Sequence, residues 1–342
     1  MRDTGTDDHR VRIRPGRGSR PRTKNRPDHS GAPRGRVMAV DRGRYAVATD
    51  DGVDVTAVTA RELGRGAVVV GDRVALVGDL SGRKDTLARI VTVEERRSAL
   101  RRSSEDGDAA GVERVVVANA TQLVIVGALA DPPPRARLVD RFLVAAYDAG
   151  MRPLLCLTKA DLASPDRFLA QYRGLDLAVV VTAVDGDSRE GVDELRAALR
   201  DEVSVMVGHS GVGKSTLVNL LVPGADRRTG DVNEVTGRGR HTSSSAVALP
   251  LPGGGLVIDT PGIRSFGLAH VQPEDLLRGF ADLADAAAEC PRGCTHQEGS
   301  PDCELDAWVR AATGPDGEPL SARDHDYRRA RLASYRRLLA AR

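Results

Sequence analysis

Lysine is nearly absent from this sequence: of 50 basic residues, only Lys24, Lys84, Lys159 and Lys214 are lysine. Arginine serves wherever charge alone suffices, so a retained lysine marks a place that asks for a compact ammonium rather than a planar guanidinium. Aromatic residues are scarce as well, at 3%. No segment reaches the ~18 uninterrupted apolar residues that a membrane span needs, and the N-terminus lacks the apolar core of a secretory signal. These absences predict a soluble, cytoplasmic protein without a membrane partner. Charge of one sign is also lacking overall, with a net +2 over 342 residues, so the whole molecule does not announce nucleic acid. Cysteine is sparse and uneven: Cys156 stands alone in an apolar run, whereas Cys290, Cys294 and Cys303 crowd into one segment with His296. Outside a secretory context, such clustering points to a metal rather than to disulfides. Cys156 reads as a small core residue.

What is present is unevenly arranged. Residues 1–35 form a basic, apolar-poor arm, with ten Arg or Lys from Arg2 to Arg34, and Arg36 just beyond, against Asp3, Asp7, Asp8 and Asp28. Such a segment cannot bury enough surface to offset its ordering entropy and is expected to be disordered. It is either a solvated tail or a phosphate-seeking arm on RNA. Residues 36–98 carry short apolar runs (RVMAV, YAVAT, VDVTAV, VVVGDRVALV, LARIVTV) divided by turn residues, the pattern of a small antiparallel barrel of the OB type. Pattern alone does not separate an RNA-binding barrel from a spacer. Residues 99–112 are polar and read as a linker, and from 113 to 268 strands alternate with amphipathic helices, implying a parallel sheet covered on both faces. The rest, 269–342, is helical and Arg-rich and carries the Cys/His cluster.

The strand VSVMV runs into GHSGVGKST, spanning Gly208, His209, Ser210, Gly211, Val212, Gly213, Lys214, Ser215 and Thr216, and then into a helix. Glycines let backbone N–H groups converge on phosphate at a helix N-terminus. Lys214 suits the β- and γ-phosphates and Ser215 a magnesium ion, which is the chemistry of a phosphate loop on a nucleoside triphosphate. DTPG follows a later strand; there Asp259 supports magnesium and the Gly262 N–H senses a γ-phosphate. TKAD ends an earlier strand. Asp161 is suited to the paired donors of guanine, Lys159 lies along the base, and Thr158 stands where Asn is usual, which loosens the brace of the base pocket. Thr182 and Ala183 of VTA end the next strand, where the Ala183 N–H suits guanine O6. A chance tetrapeptide is the competing reading of TKAD, and a P-loop ATPase or kinase then competes with a GTPase.

The order of these motifs decides. Guanine reader, O6 contact, phosphate loop, threonine-bearing loop and DTPG follow one another, which is the ordinary GTPase cycle begun at a different point. A circularly permuted domain is expected. GHSGVGKST, GRHTS, DTPG and the metal cluster together resemble the ribosome small-subunit-dependent GTPase A family over residues 36 to 342. That resemblance implies a multidomain chain: an N-terminal OB-fold, a central circularly permuted P-loop GTPase α/β domain and a C-terminal helical zinc domain. It also implies GTP hydrolysis as a checkpoint in small-subunit assembly, stimulation by that subunit, 16S-type rRNA as partner, and release after hydrolysis by a monomeric protein. It adds Thr242 to the magnesium ligands Ser215 and Asp259. An RNA-binding module with a regulatory nucleotide site is the alternative from another class.

Cys290, Cys294, His296 and Cys303 suit one tetrahedral, structural zinc. Their spacing departs slightly from the family's, with one residue fewer between the first two cysteines and one more before the last. Ile263 occupies the place of a water-orienting Gln, so intrinsic hydrolysis is expected to be slow, with a partner or another residue ordering the attack. His241 beside Thr242 is the candidate; a surface role is its competing reading.

Overall fold

The fold is described from a computed structural model over residues 28–64, 66–103, 113–186, 188–225, 246–260, 268 and 271–342. The arm up to residue 27, Thr242, His241, Gly262 and Ile263 therefore lie outside the described residues. Residues Met1–Gly31 and Ala32–Arg342 are separate units. In the first, Asp28 accepts the N–H and hydroxyl of Ser30 in a short turn.

In the second unit, five short strands come first: β1 (Arg34–Asp41), β2 (Arg44–Thr49), β3 (Asp54–Thr59), β4 (Arg73–Gly78) and β5 (Ala88–Val93). They pair in the order β1-β2-β3-β5-β4, and β4 pairs back onto β1, so the barrel is closed. Inward positions alternate, as a one-sided strand requires, with Val37, Tyr45, Val47, Val55, Leu76 and Ile90 filling the barrel. The expected OB-type barrel is thus borne out.

The segment expected to be a linker begins as structure: β6 (Ala99–Ser103) pairs antiparallel with β7 (Glu113–Ala118). The hairpin is seated on the barrel through the Val70↔Val117 bridge and the Asn119 Nδ2 bond to the Gly71 carbonyl at 3.1 Å. Gly71 has φ +89°, and an added Cβ would lie 2.0 Å from the Ala118 carbonyl oxygen, so the close approach demands glycine. Arg96, at the entry to this hairpin, reaches the fully buried Asp72 through Nε (2.7 Å) and Nη2 (2.9 Å). Asp72 also accepts the Val69 N–H at 2.8 Å. Breaking a buried charge pair by deleting one partner costs about 3–5 kcal/mol. Arg96→Ala is therefore expected to lower the urea midpoint by a corresponding amount; an unchanged midpoint would show that Asp72 is satisfied without it.

The second sheet uses β8 (Gln122–Ala128), β9 (Arg152–Thr158), β10 (Ala178–Val181), β13 (Val203–Gly208), β14 (Val247–Pro250) and β15 (Leu256–Asp259); a small ladder of β11 (Ala183–Asp185) and β12 (Ser188–Glu190) lies apart. Its order is β10-β9-β8-β13-β15-β14, parallel except for β14, and the short α2 (Asp166–Leu169) lies between β9 and β10 in the chain. Side chains alternate between two cores. Leu123, Ile125, Leu155, Leu157, Val205 and Val207 face α1 (Ala136–Asp148) and α8 (Ala322–Leu339). Val124, Val126, Leu154, Cys156 and Met206 face α3 (Val192–Leu199) and α4 (Lys214–Leu221). Burial on both faces is why these strands read as unbroken apolar runs. Cys156 is the core residue expected of it, and burial pushes its thiol up to about 12.

The chain enters this sheet at β8 and leaves it at β15, the two strands that flank β13. Reading from β13 instead restores the ordinary sequence of motifs without moving a strand. The domain is circularly permuted.

Four further helices follow or precede the metal cluster: α5 (Pro273–Leu277), α6 (Ala281–Ala287), α7 (Glu304–Arg310) and the long α8, capped by Ser321, which accepts the Asp324 N–H at 3.2 Å. The arginines of α8 are largely turned inward. Arg331, 2% exposed, meets Asp282, Asp176 and the carbonyls of Gly174 and Gly279, and stacks 4.6 Å from the Phe280 ring centroid. Arg337 joins Asp140 of α1 and covers Tyr172. These bonds seat α8 on the flank of the sheet that carries β9 and β10.

Candidate functional site

Three strand ends converge. β13 ends at Gly208, where the loop 208–213 passes directly into α4 beginning at Lys214. Gly213, at φ +89°, caps that helix and lies against the Thr158 side chain. Backbone at a helix N-terminus with this curvature is suited to phosphate. Ser215 and Thr216 are partly exposed on the first turn, Ser210 and Gly211 stand in solvent, and Val212 is packed below. His209 Nδ1 donates to the Ser210 carbonyl at 2.8 Å.

Opposite the loop, β15 delivers Asp259. Its carboxylate accepts Lys214 Nζ at 2.7 Å, and the same ammonium reaches the Thr260 carbonyl at 3.3 Å. Lysine and aspartate are both largely buried, with side chains 15% and 7% exposed. Thr260 is held in turn by its hydroxyl on the Met206 carbonyl at 2.9 Å, which ties β15 to β13 just below the loop.

On the other flank β9 ends in TKAD. The Thr158 hydroxyl is buried and donates to the Val212 carbonyl at 2.6 Å. The residue expected to loosen the brace therefore supplies one: a short hydroxyl reaches the phosphate loop directly. Lys159, in the left-handed region at φ 59°, donates to the Asp131 carbonyl. Asp161 is exposed at the rim. Thr182 is buried, its N–H on the Leu157 carbonyl at 2.7 Å and its carbonyl accepting the Ala160 N–H at 3.2 Å, so the ends of β9 and β10 are bonded together and Ala183 follows at once. The structure thus brings the GHSGVGKST, TKAD, VTA and Asp259 segments to one end of one sheet.

Two contributors were not singled out in the sequence, Thr260 and the Asp131–Pro134 loop that receives Lys159. The proline run directly after a strand was the available signal, since it marks a stiff, fixed turn. A cavity of about 20 Å³ lies under that loop, between it, Val212 and His209. A larger cleft, about 520 Å³, is elsewhere, between α7 and α8, and its Arg336 and Arg337 are already bonded to Asp306 and Asp140.

In the C-terminal region the four metal-ligand candidates come together. The sulfurs of Cys290, Cys294 and Cys303 and a His296 ring nitrogen all lie within 4.8 Å of one another. His296 Nδ1 is 3.6 Å from Cys290 Sγ and 3.9 Å from Cys303 Sγ. Edges of about 3.5–3.8 Å are what a tetrahedron with zinc–ligand bonds of 2.0–2.3 Å requires. The donor set fits zinc, with no open position for chemistry. Among the described residues no helix is long and apolar enough to cross a membrane.

A parallel sheet with a glycine loop at its central strand, a buried Lys–Asp pair beside it and a TKAD end bonded to that loop defines a circularly permuted P-loop GTPase fold, here between a closed barrel and a Cys₃His cluster. The chain belongs to the RsgA GTPase family, whose model matches residues 93–269, and it is accordingly a GTPase. It is 42% identical over 283 residues to the small ribosomal subunit biogenesis GTPase RsgA of Pseudomonas aeruginosa, covering 80% of this chain and 76% of that protein. Among solved structures, YjeQ of Thermotoga maritima aligns with TM-score 0.61 at 24% identity, over 88% of this chain and 97% of that one. YloQ, described as a circularly permuted GTPase, aligns with TM-score 0.58 at 22% identity, over 90% and 96%. These two likenesses concern the fold.

Proposed function

We propose that this protein hydrolyses GTP as a checkpoint in late assembly of the small ribosomal subunit, binding its 16S-type rRNA as a monomer and leaving after hydrolysis. The relative from Pseudomonas aeruginosa is named for small ribosomal subunit biogenesis. The role places the protein in the cytoplasm. The observation that carries the guanine reading is the Thr158–Val212 hydrogen bond, which joins the TKAD end to the phosphate loop. A chance tetrapeptide has no reason to brace that loop.

In this reading Asp161 accepts the two donors of the guanine edge, Lys159 covers the base, and the Ala183 N–H meets O6. Residues 208–216 wrap the phosphates, with Lys214 on the β- and γ-phosphates. Ser215, Thr242 and Asp259 hold magnesium, which when bound neutralises charge on the transferred phosphoryl group. Gly262 contacts the γ-phosphate, and His241 orients water in place of Ile263. The zinc cluster shapes the C-terminal domain. In this reading the barrel, whose first strand begins at Arg34, two residues before the expected 36–98 segment, and the segments 113–268 and 269–342 divide the labour.

The test is phosphate release from GTP and from ATP, each with and without purified small subunits. Stimulation confined to GTP with subunits is expected; equal use of ATP, or no response to subunits, would remove the guanine or the ribosomal part respectively. A finer probe is Thr158→Val, which keeps the shape and deletes the hydroxyl. Losing a buried hydrogen bond of this kind costs about 1–1.5 kcal/mol, so GDP affinity should weaken about five- to tenfold. Unchanged affinity in a titration of labelled GDP would show that the brace is idle.

A further inference from the structure

The barrel and the nucleotide-site sheet are joined edge to edge. β1 pairs with β14 at Ala39↔Val247, and the same Val247 pairs with Asp259 of β15. Ala39, Val247 and Asp259 thus lie on one register line across three strands. With strands ~4.8 Å apart, the barrel backbone stands about 10 Å from that of the aspartate holding Lys214.

A bulge makes the junction possible. The register of β1 against β2 shifts between Val37 and Ala39, leaving Met38 as the extra residue. Before it, Arg34, Gly35 and Arg36 pair with β4 and close the barrel; after it, the strand edge is given to β14. Bulges bend a strand and re-aim its side chains in this way. Val37 stays in the barrel core, whereas Met38 packs against the cluster that contains Val205, Val207, Ala248 and Ile258.

We propose that the barrel is a positioning element of the phosphate site. Through Met38 and the Ala39–Val247 pair, β1 fixes β14, and β14 fixes where β15 presents Asp259. The inference rests on the assignment of Asp259 to the magnesium site made above. It has two consequences. A disturbed seam raises the magnesium requirement, and, because coupling between sites is reciprocal, bound magnesium and nucleotide steady the seam.

The test uses the full chain with Met38→Asp, and Met38→Leu as the conservative variant, following GTP turnover against magnesium concentration. Met38→Asp is expected to raise the magnesium midpoint about fivefold or more, with KM for GTP at saturating magnesium within about twofold. Met38→Leu is expected to behave as the unaltered chain. A packing defect alone would lower the amplitude with the folded fraction and leave the midpoint in place. An unchanged midpoint in folded Met38→Asp protein overturns the proposal. Absence of magnesium-dependent turnover in the unaltered chain would instead overturn the site assignment on which it rests. Should Met38→Asp not fold, hydrogen exchange on the unaltered chain decides: amides of 37–41 and 247–249 are expected to exchange more slowly with magnesium and a non-hydrolysable GTP analogue than with neither. Equal exchange overturns the proposal.

Discussion

Lys214→Ala is expected to reduce GTP turnover by at least ~10²–10³-fold, the usual loss when one preorganised donor to a developing negative charge is removed. The same substitution is expected to destabilise the nucleotide-free chain. Lys214 Nζ sits 2.7 Å from Asp259 Oδ1 in a largely buried pair. Deleting the ammonium removes the Lys214 half of this largely buried pair, a kind of loss that costs about 3–5 kcal/mol. Replacing both members relieves that cost, so Lys214→Ala combined with Asp259→Ala is expected to regain most of the stability and none of the activity. Stopped-flow phosphate release and urea denaturation on the three chains check both halves. Full turnover by Lys214→Ala would remove the lysine from the chemistry. A double variant no more stable than the single would show that the pair is not what holds β15 against the loop.

This pair also says how the site waits for substrate. Without nucleotide, Lys214 is paired with Asp259 and Thr260 is anchored on Met206, so in the proposed reading both charged groups are already held close to where phosphate and magnesium would need them. Preorganisation of this kind lowers the reorganisation required when substrate binds.

Much of this was legible in the sequence because its physical signals are local. The apolar runs of β8, β9 and β13 follow from burial on both faces, and GHSGVGKST is readable because a phosphate cradle needs glycine at fixed offsets. What escaped depends on partners distant in the chain. β6 looked like linker because its register shifts between Leu100 and Arg101, which breaks the alternation that betrays a half-buried strand, and because Arg101 and Arg102 are exposed. Buried Arg331 looks, in sequence, like any surface arginine of a basic helix; only Asp282 and the carbonyls around it make it structural. Thr158 was expected to be a weak substitute because Asn is usual there; the Val212 carbonyl it reaches lies 54 positions away in the chain. The β1–β14 seam rests on a single register pair, which no composition or period announces.

Removing metal from the Cys290, Cys294, His296 and Cys303 cluster is expected to loosen the C-terminal region as a unit. The loop is wired into the helices around it: the Glu304 N–H reaches Cys290 Sγ at 3.3 Å, and Arg336 of α8 donates to the His296 carbonyl at 3.0 Å while gripping Asp306 at 2.9 and 2.8 Å. Tyr335, fully buried, packs its ring 6.3 Å from that of His296. Four ligand atoms converging within 4.8 Å fit a shared ion, and a structural zinc bound there would contribute its binding free energy to folding. If about 4 kcal/mol of that is lost from the intact chain, the melting temperature falls by roughly 10 °C. Cys303→Ser is expected to bring bound zinc from one per chain to near none and to speed amide exchange over 288–310. β8, β9 and β13 should keep their protection, because their two cores are filled by α1, α3 and α4 as well as by α8. Metal analysis, thermal melting and hydrogen exchange on the chelated and substituted chains measure this directly. A metal-free chain that melts where the metal-loaded one does would mean that α7 and α8 hold the loop by packing alone, and the cluster would lose its structural role.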